Sequence, residues 1–204
     1  GMVMLWRDKG GGSWGPVCAL RGHCADVYDL SWSPNGEELI SGSVDGSCIV
    51  WDLERYVRVL ALFEPTVFRS VLYHPDESQL ITCGSDRKVT YWDVANLQQI
   101  RILDGSNAEI NSVSTNASGT LFASGGADKT IIIWTSKAEG ILKYSHNDSI
   151  QCMAYNPVTQ QLASATSEMS PAEEFCQRIF SAFHAYVRGL IVERNRTGRR
   201  ARKA

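Results

Sequence analysis

No apolar run in this sequence approaches the roughly 20 residues that a helical membrane span requires. The opening "GMVMLWRDKG" has neither the long apolar segment nor the small-residue cleavage site of a secretory signal. Charge of one sign is also lacking: the net charge is −2 over 204 residues, which predicts one globular domain or one domain plus an appendage. Histidine is scarce, at four residues far apart in sequence, none with a metal-ligand neighbour. No phosphate-cradling glycine loop occurs, and no metal or cofactor is expected. The six cysteines form no C-x-x-C pair, and Cys48, Cys83 and Cys152 lie inside apolar strand patterns. They are expected to be buried, reduced thiols of a cytosolic or nuclear protein rather than a disulfide scaffold.

What is present is a repeat. Gly22-His23 opens a segment that closes at Trp51-Asp52, and Trp92 (followed by Asp93) and Trp134 follow at steps of 41 and 42 residues. Turn signals keep the same step at Ser33-Pro34-Asn35-Gly36, His74-Pro75-Asp76, Asn116-Ala117-Ser118-Gly119 and Asn156-Pro157. So do the small-residue runs "LISGSVD", "LITCGSD", "LFASGGAD" and "LASATSE". A period of about 40–45 residues with Gly-His and Trp-Asp marks resembles the WD40 repeat, which implies an all-β propeller of four-stranded blades.

Each repeat supplies short alternating or apolar runs between turn signals, the pattern of strands. The first full repeat gives "VYDLSW", "EELISGS", "SCIVWDL" and "VRVLALF". The second and third follow suit, while a fourth offers "IQCMAY" and "QLASAT" alone. At the front, "GMVMLW" and "PVCALR" read as the third and fourth strands of a blade. The expected fold is therefore three full blades plus two half-blades over 1–167. Two arrangements follow: the halves join into one blade and close a four-bladed ring, or, the favoured alternative, they leave an arc of a larger propeller. Association of two such arcs is a third arrangement, since open blade edges invite pairing with other chains.

His23, Ser41, Asp45 and Trp51 superficially offer a hydrolase triad. The WD40 resemblance implies instead a structural tetrad in which a buried indole, imidazole, hydroxyl and carboxylate satisfy one another. Thr82, Asp86 and Trp92 keep three members, as do Ser124, Asp128 and Trp134, with Glu64 and Ser106 in the histidine places. In the fourth repeat His146 and Ser164 remain, Glu168 replaces the aspartate and Glu174 falls on the tryptophan position. No catalytic residue is assigned, and no enzyme is expected.

The segment "SATSEMSPAEEF" is where the pattern breaks. Beyond it a helix start at Ser170-Pro171-Ala172-Glu173 precedes Phe175, Ile179, Phe183, Tyr186 and Leu190 at helical intervals. These predict an amphipathic helix over 168–193. The basic "RNRTGRRARKA" over 194–204 is expected to be disordered and to contact nucleic acid only weakly, since it has no aromatic for stacking on bases.

Three blocks carry closer resemblances. "LRGHCADVYDLSWSPNGEELISGSVDGSCIVWD", within about 14–52, resembles the small WD40 subunit of chromatin assembly factor. "VFRSVLYHPDESQLITCGSDRKVTYWDV" and "IRILDGSNAEINSV", within about 66–129, are similar to a cilia- and flagella-associated WD40 protein. "DKTIIIWTSKAEGILKYSHNDSIQCMAYNPVTQQLAS", about 128–167, is similar to the WD40 subunit of intraflagellar transport complex A. The chain reads as a patchwork, with the broken segment as a seam. The resemblances imply a non-enzymatic scaffold for proteins or peptides, tied to cilium or flagellum assembly or intraflagellar transport. The alternatives are a nuclear histone-chaperone subunit, or a chimeric chain with no evolved function. They also imply partner contacts on one loop face, at Tyr28, Arg69, Asn111 and Gln151 with Val44, Ser85 and Ala127 beside them.

Overall fold

Runs such as "SCIVWD", "KVTYWD" and "TIIIWT" are rich in β-branched and aromatic residues, which suit a pleated, packed surface. A computed structural model describes residues 1–135, 137, 139–156 and 158–166 and folds these runs as strands. The helix expected over 168–193 and the basic tail lie outside the described residues.

Three sheets are four-stranded antiparallel meanders. The first holds β3 (Val27–Trp32), β4 (Glu38–Ser43), β5 (Ser47–Asp52) and β6 (Val57–Phe63). The second holds β7 (Phe68–Tyr73), β8 (Gln79–Gly84), β9 (Lys88–Asp93) and β10 (Gln99–Asp104). The third holds β11 (Ile110–Thr115), β12 (Leu121–Gly126), β13 (Thr130–Thr135) and β14 (Gly140–Ser145). They are preceded by a hairpin of β1 (Met2–Gly10) and β2 (Ser13–Arg21), and followed by one of β15 (Ile150–Tyr155) and β16 (Leu162–Thr166). These hairpins form two separate sheets, so the four-bladed closure through a joined composite blade is not what the chain adopts. Three blades and two half-blades are all-β, as the repeat implies.

The core lies between sheets, not within one. Because side chains alternate across a strand, β4 and β5 send Leu39, Ile49 and Trp51 to one side, where they meet Val3, Leu5 and Leu20 of the first hairpin. Ile40, Cys48 and Val50 point the other way, onto Phe68, Val71, Tyr73, Leu80 and Trp92. Ile81, Cys83, Val89 and Tyr91 then meet Ile110, Val113, Phe122, Ile132 and Trp134. Ala123 and Ile131 meet Ile150 and Met153 of β15. Cys48 and Cys83 are buried, whereas Cys152, expected inside, is exposed. Its strand covers the third blade with one face, and no described sheet covers the other.

Close approach of neighbouring sheets demands small residues. A Cβ on Gly42 would stand 2.7 Å from Val71 Cγ1 and 3.1 Å from Phe68 Cβ, and one on Gly125 3.0 Å from Ile150 Cγ2. Val71 is stiff at χ1 and fully enclosed, so it cannot swing aside. Gly42→Ala should therefore cost about 1–3 kcal/mol through overpacking. Urea unfolding followed by tryptophan fluorescence is expected to show a lower midpoint at unchanged slope.

Candidate protein-interaction face

The polar residues of the repeat divide into a buried set inside the blades and an accessible set at one end of the inner strands. In the first blade the Ser41 hydroxyl oxygen accepts the Trp51 indole N–H at 2.8 Å and stands 2.6 Å from His23 Nε2. His23 Nδ1 lies 2.7 Å from Ser47 Oγ and 3.4 Å from Asp45 Oδ2. Asp45 also accepts the Ser47 hydroxyl and the backbone N–H groups of Ser47 and Cys24. The network ties the segment entering β3 to β4, β5 and the turn between them. Ser41 is completely enclosed, with an indole already on its oxygen, so it presents no nucleophile to solvent.

The later blades keep parts of this set. Trp92 donates to Thr82 and Trp134 to Ser124, each at 2.8 Å. Ser106, in the histidine place, donates to Asp128 at 2.9 Å. In the second blade Asp86 engages through its backbone N–H, which donates to Thr66 Oγ1 at 3.2 Å, and its carboxylate accepts the Lys88 N–H. Ser164 sits in β16, and His146 has a buried Nδ1 with no hydrogen-bond partner among the described residues. Glu168 and Glu174 lie outside those residues.

Burial lowers the pKa of His23, against the opposing pull of Asp45. Burial pushes Asp45 upward, but hydrogen bonds from Ser47 and Cys24 and the nearby imidazole outweigh it and hold the carboxyl well below its ordinary range. Both shifts act in one direction. As pH falls below the ordinary imidazole value of 6.5, the unfolded chain takes a proton that folded His23 resists. Further down, unfolded Asp45 protonates near 3.8 while the folded carboxylate stays ionised. Stability should therefore fall on acidification. In denaturation between pH 7.5 and 5.5, His23→Gln should flatten the dependence seen for the parent chain.

At the accessible end, the second residue of each inner strand points into a common row. The Arg69 guanidinium lies 4.8 Å from the centre of the Tyr28 ring, and its Nη2 pairs with Glu109 at 3.2 Å. Asn111 Nδ2 donates to the carbonyl of Ile150 at 2.8 Å, and Gln151 Nε2 to Ser149 Oγ at 3.3 Å. Tyr28 and Gln151 are exposed, while Arg69 and Asn111 are half-buried. Val44, Ser85 and Ala127 occupy the neighbouring turns, and their N–H groups donate to Asp26, Val67 and Glu109. Each turn is thereby pinned to the loop that enters its own blade.

Sequence reasoning missed a second row, one residue further along each inner strand. The Asp29 carboxylate accepts the Ser70 hydroxyl at 2.7 Å and the Val71 N–H at 2.9 Å. Ser70 Oγ accepts the Val113 N–H at 3.4 Å, and Ser112 Oγ accepts the Met153 N–H at 3.0 Å. Each blade thus uses one side-chain oxygen to satisfy a backbone donor of the next, which offsets the burial that raises the pKa of Asp29. The available signal was a polar residue in the middle of an apolar inner strand at the blade period. Ser112→Ala should leave the Met153 N–H buried without an acceptor, costing about 1–3 kcal/mol. Amide hydrogen exchange at Met153 is expected to accelerate more than exchange in the first blade.

Comparison with known proteins agrees with this geometry. The model of the WD domain, G-beta repeat, matches residues 14–52, 61–93 and 97–135. The cilia- and flagella-associated protein 52 of Chlamydomonas reinhardtii is 40% identical over 154 residues, covering 74% of this chain and 25% of that protein. Its Homo sapiens counterpart is 35% identical over the same length. The intraflagellar transport protein 122 homolog of Danio rerio is 55% identical over 95 residues, 47% of this chain and 8% of that protein. The chain thus spans a quarter or less of these relatives.

Proposed function

The chain belongs to the WD40 repeat family, and we propose that it is a non-enzymatic protein-interaction scaffold of cilium or flagellum assembly or intraflagellar transport. The observation that carries the scaffold reading is the row of Tyr28, Arg69 and Glu109, held across three successive blades by a cation–π contact and an ion pair. It mounts an aromatic ring and a guanidinium on the inner strands β3 and β7 and a carboxylate on the loop entering β11, the type of surface that recognises side chains of another protein. Asn111 and Gln151 continue the row, with Val44, Ser85 and Ala127 as its rim. Among the described residues no cluster of three or more metal-ligating groups accompanies it.

The process follows from the relatives, which are named for cilia, flagella and intraflagellar transport. The cytoplasm and the cilium are the corresponding locations. The chromatin-assembly reading of residues 14–52 draws no support from these relatives.

Immobilised chain should enrich tubulin or transport-train proteins from a flagellar extract. Arg69→Glu with Tyr28→Ala should reduce that enrichment at least about tenfold while leaving the thermal midpoint within a few degrees. Enrichment of histones H3 and H4 instead, or capture unaffected by the double substitution, would refute this assignment of process or of face.

A further inference from the structure

The segment that enters a blade supplies donors to an aspartate, and the second blade breaks that rule. In the first blade His23 Nδ1 stands 3.4 Å from Asp45 Oδ2, and the Cys24 N–H donates to the same oxygen at 2.6 Å. In the third, Ser106 Oγ and the Asn107 N–H donate to Asp128 at 2.9 Å and 3.0 Å. The same two places in the second blade hold Glu64 and Pro65. An ionised carboxylate brings no donor, and proline has no N–H. Among the described residues the Asp86 carboxylate therefore keeps one hydrogen bond, from the Lys88 N–H at 3.3 Å.

The residue before this pair differs too. A Cβ on Gly22 or Gly105 would stand 2.9 Å from Cη2 of Trp51 or Trp134, so those loops lie directly against the indole. Phe63 takes that place in the second blade, where it is 68% exposed and a side chain excludes so close an approach. What is left is a cavity of about 80 Å³, flanked by Glu64, Thr66, Thr82, Asp86, Lys88 and Trp92. Thr82 is 2% exposed. Its oxygen accepts the Trp92 indole N–H at 2.8 Å, while its own hydrogen finds no acceptor among the described residues. In the first blade the matching oxygen, that of Ser41, has His23 Nε2 at 2.6 Å. The second blade thus has an unspent buried donor and an under-used carboxylate on the walls of a void that an imidazole fills one blade earlier.

We propose that this cavity is a binding site for an imidazole ring brought by another molecule. One ring nitrogen accepts the Thr82 hydroxyl, as His23 Nε2 lies against Ser41, and the N–H of the other donates to the Asp86 carboxylate. Glu64 and Asp86 together outweigh the ammonium of Lys88, which favours a ligand that donates. The volume lies between the roughly 30 Å³ share of one liquid water and the roughly 150 Å³ cavity that holds benzene, which suits a five-membered ring. The ring belongs either to a small molecule or to a histidine side chain of a partner protein, and the recognition chemistry is the same for both.

The test uses the full 204-residue chain with imidazole as the probe, followed through the indole N–H resonances of its six tryptophans. Trp92 should shift saturably with a Kd on the order of 1 mM, within what five ring atoms can supply, while Trp51 and Trp134 stay in place. Asp86→Ala should weaken binding at least about tenfold, and Glu64→His, which offers a ring from within the chain, should abolish it. Unmoved Trp51 and Trp134 resonances establish that the variants keep their fold, and where a variant unfolds the titration of the parent chain decides. Equal or tighter binding of N-acetylhistidine amide assigns the ring to a partner's histidine, whereas binding of imidazole with exclusion of the amide assigns it to a small molecule. No saturable shift of Trp92 well above the expected Kd, as for a cavity that holds water alone, overturns the proposal, and so do equal shifts at all three indoles.

Discussion

Everything in this chain depends on sheets being buried on both faces by their neighbours. A single four-stranded meander here has no core of its own: Ile40, Cys48 and Val50 are enclosed only because Phe68, Val71 and Trp92 lie against them. The repeat period is therefore an energetic unit as well as a pattern. Each copy exposes two apolar faces until a copy before it and a copy after it remove them from water. The same constraint places glycine at Gly42 and Gly125, where adjacent sheets leave no room for a side chain.

Stacking on apolar surface alone is tolerant of sliding, and the polar residues remove that freedom. Inside a blade, the indole–hydroxyl bonds of Trp51, Trp92 and Trp134 fix the third strand against the second. Between blades, the side-chain oxygens of Asp29, Ser70 and Ser112 each accept one particular backbone N–H of the following sheet. A buried donor without an acceptor is expensive, so a shifted stacking register is penalised at every interface. Tyr73, donating its hydroxyl to Glu38 at 2.9 Å, and His74, 3.0 Å from the Gly119 carbonyl, repeat the arrangement near the opposite ends of the strands.

Function rests on this rigidity. The row of Tyr28, Arg69 and Glu109 crosses three blades: Tyr28 and Arg69 stand on inner strands, and the loop carrying Glu109 is pinned by the Ala127 N–H on its carbonyl. That suits a surface that recognises a protein, where little ordering of side chains remains to be done on binding. The buried Ser41 and His23 and the half-buried Asp45 bear the residue types of a hydrolase, yet their hydrogen bonds are spent on one another and on Trp51, Ser47 and the Cys24 N–H. Residue type and proximity do not make a nucleophile of a hydroxyl that, like that of Ser41, is fully enclosed.

Strand number, strand order within a blade and the polar positions were legible in the sequence, because period-2 alternation, turn residues and the tryptophan step are local properties that recur. The hydroxyl partners of the three tryptophans could likewise be named from their constant offset. Three things were not legible. The link of Asp86 to Thr66 through its backbone, the relay from Asp29 to Ser70 to Val113, and the exposure of Cys152 are all decided by which sheet lies against which. The cysteine sits in an apolar strand like Cys83, and the alternation alone predicts burial for both. Only the tertiary structure distinguishes them: Cys83 faces Ile110 of the next blade, whereas the corresponding face of β15 meets no further described sheet. The sequence by itself determined what each blade is. The stacking decided which surfaces, oxygens and edges are left for anything else, because burial is a property of neighbours and not of residues.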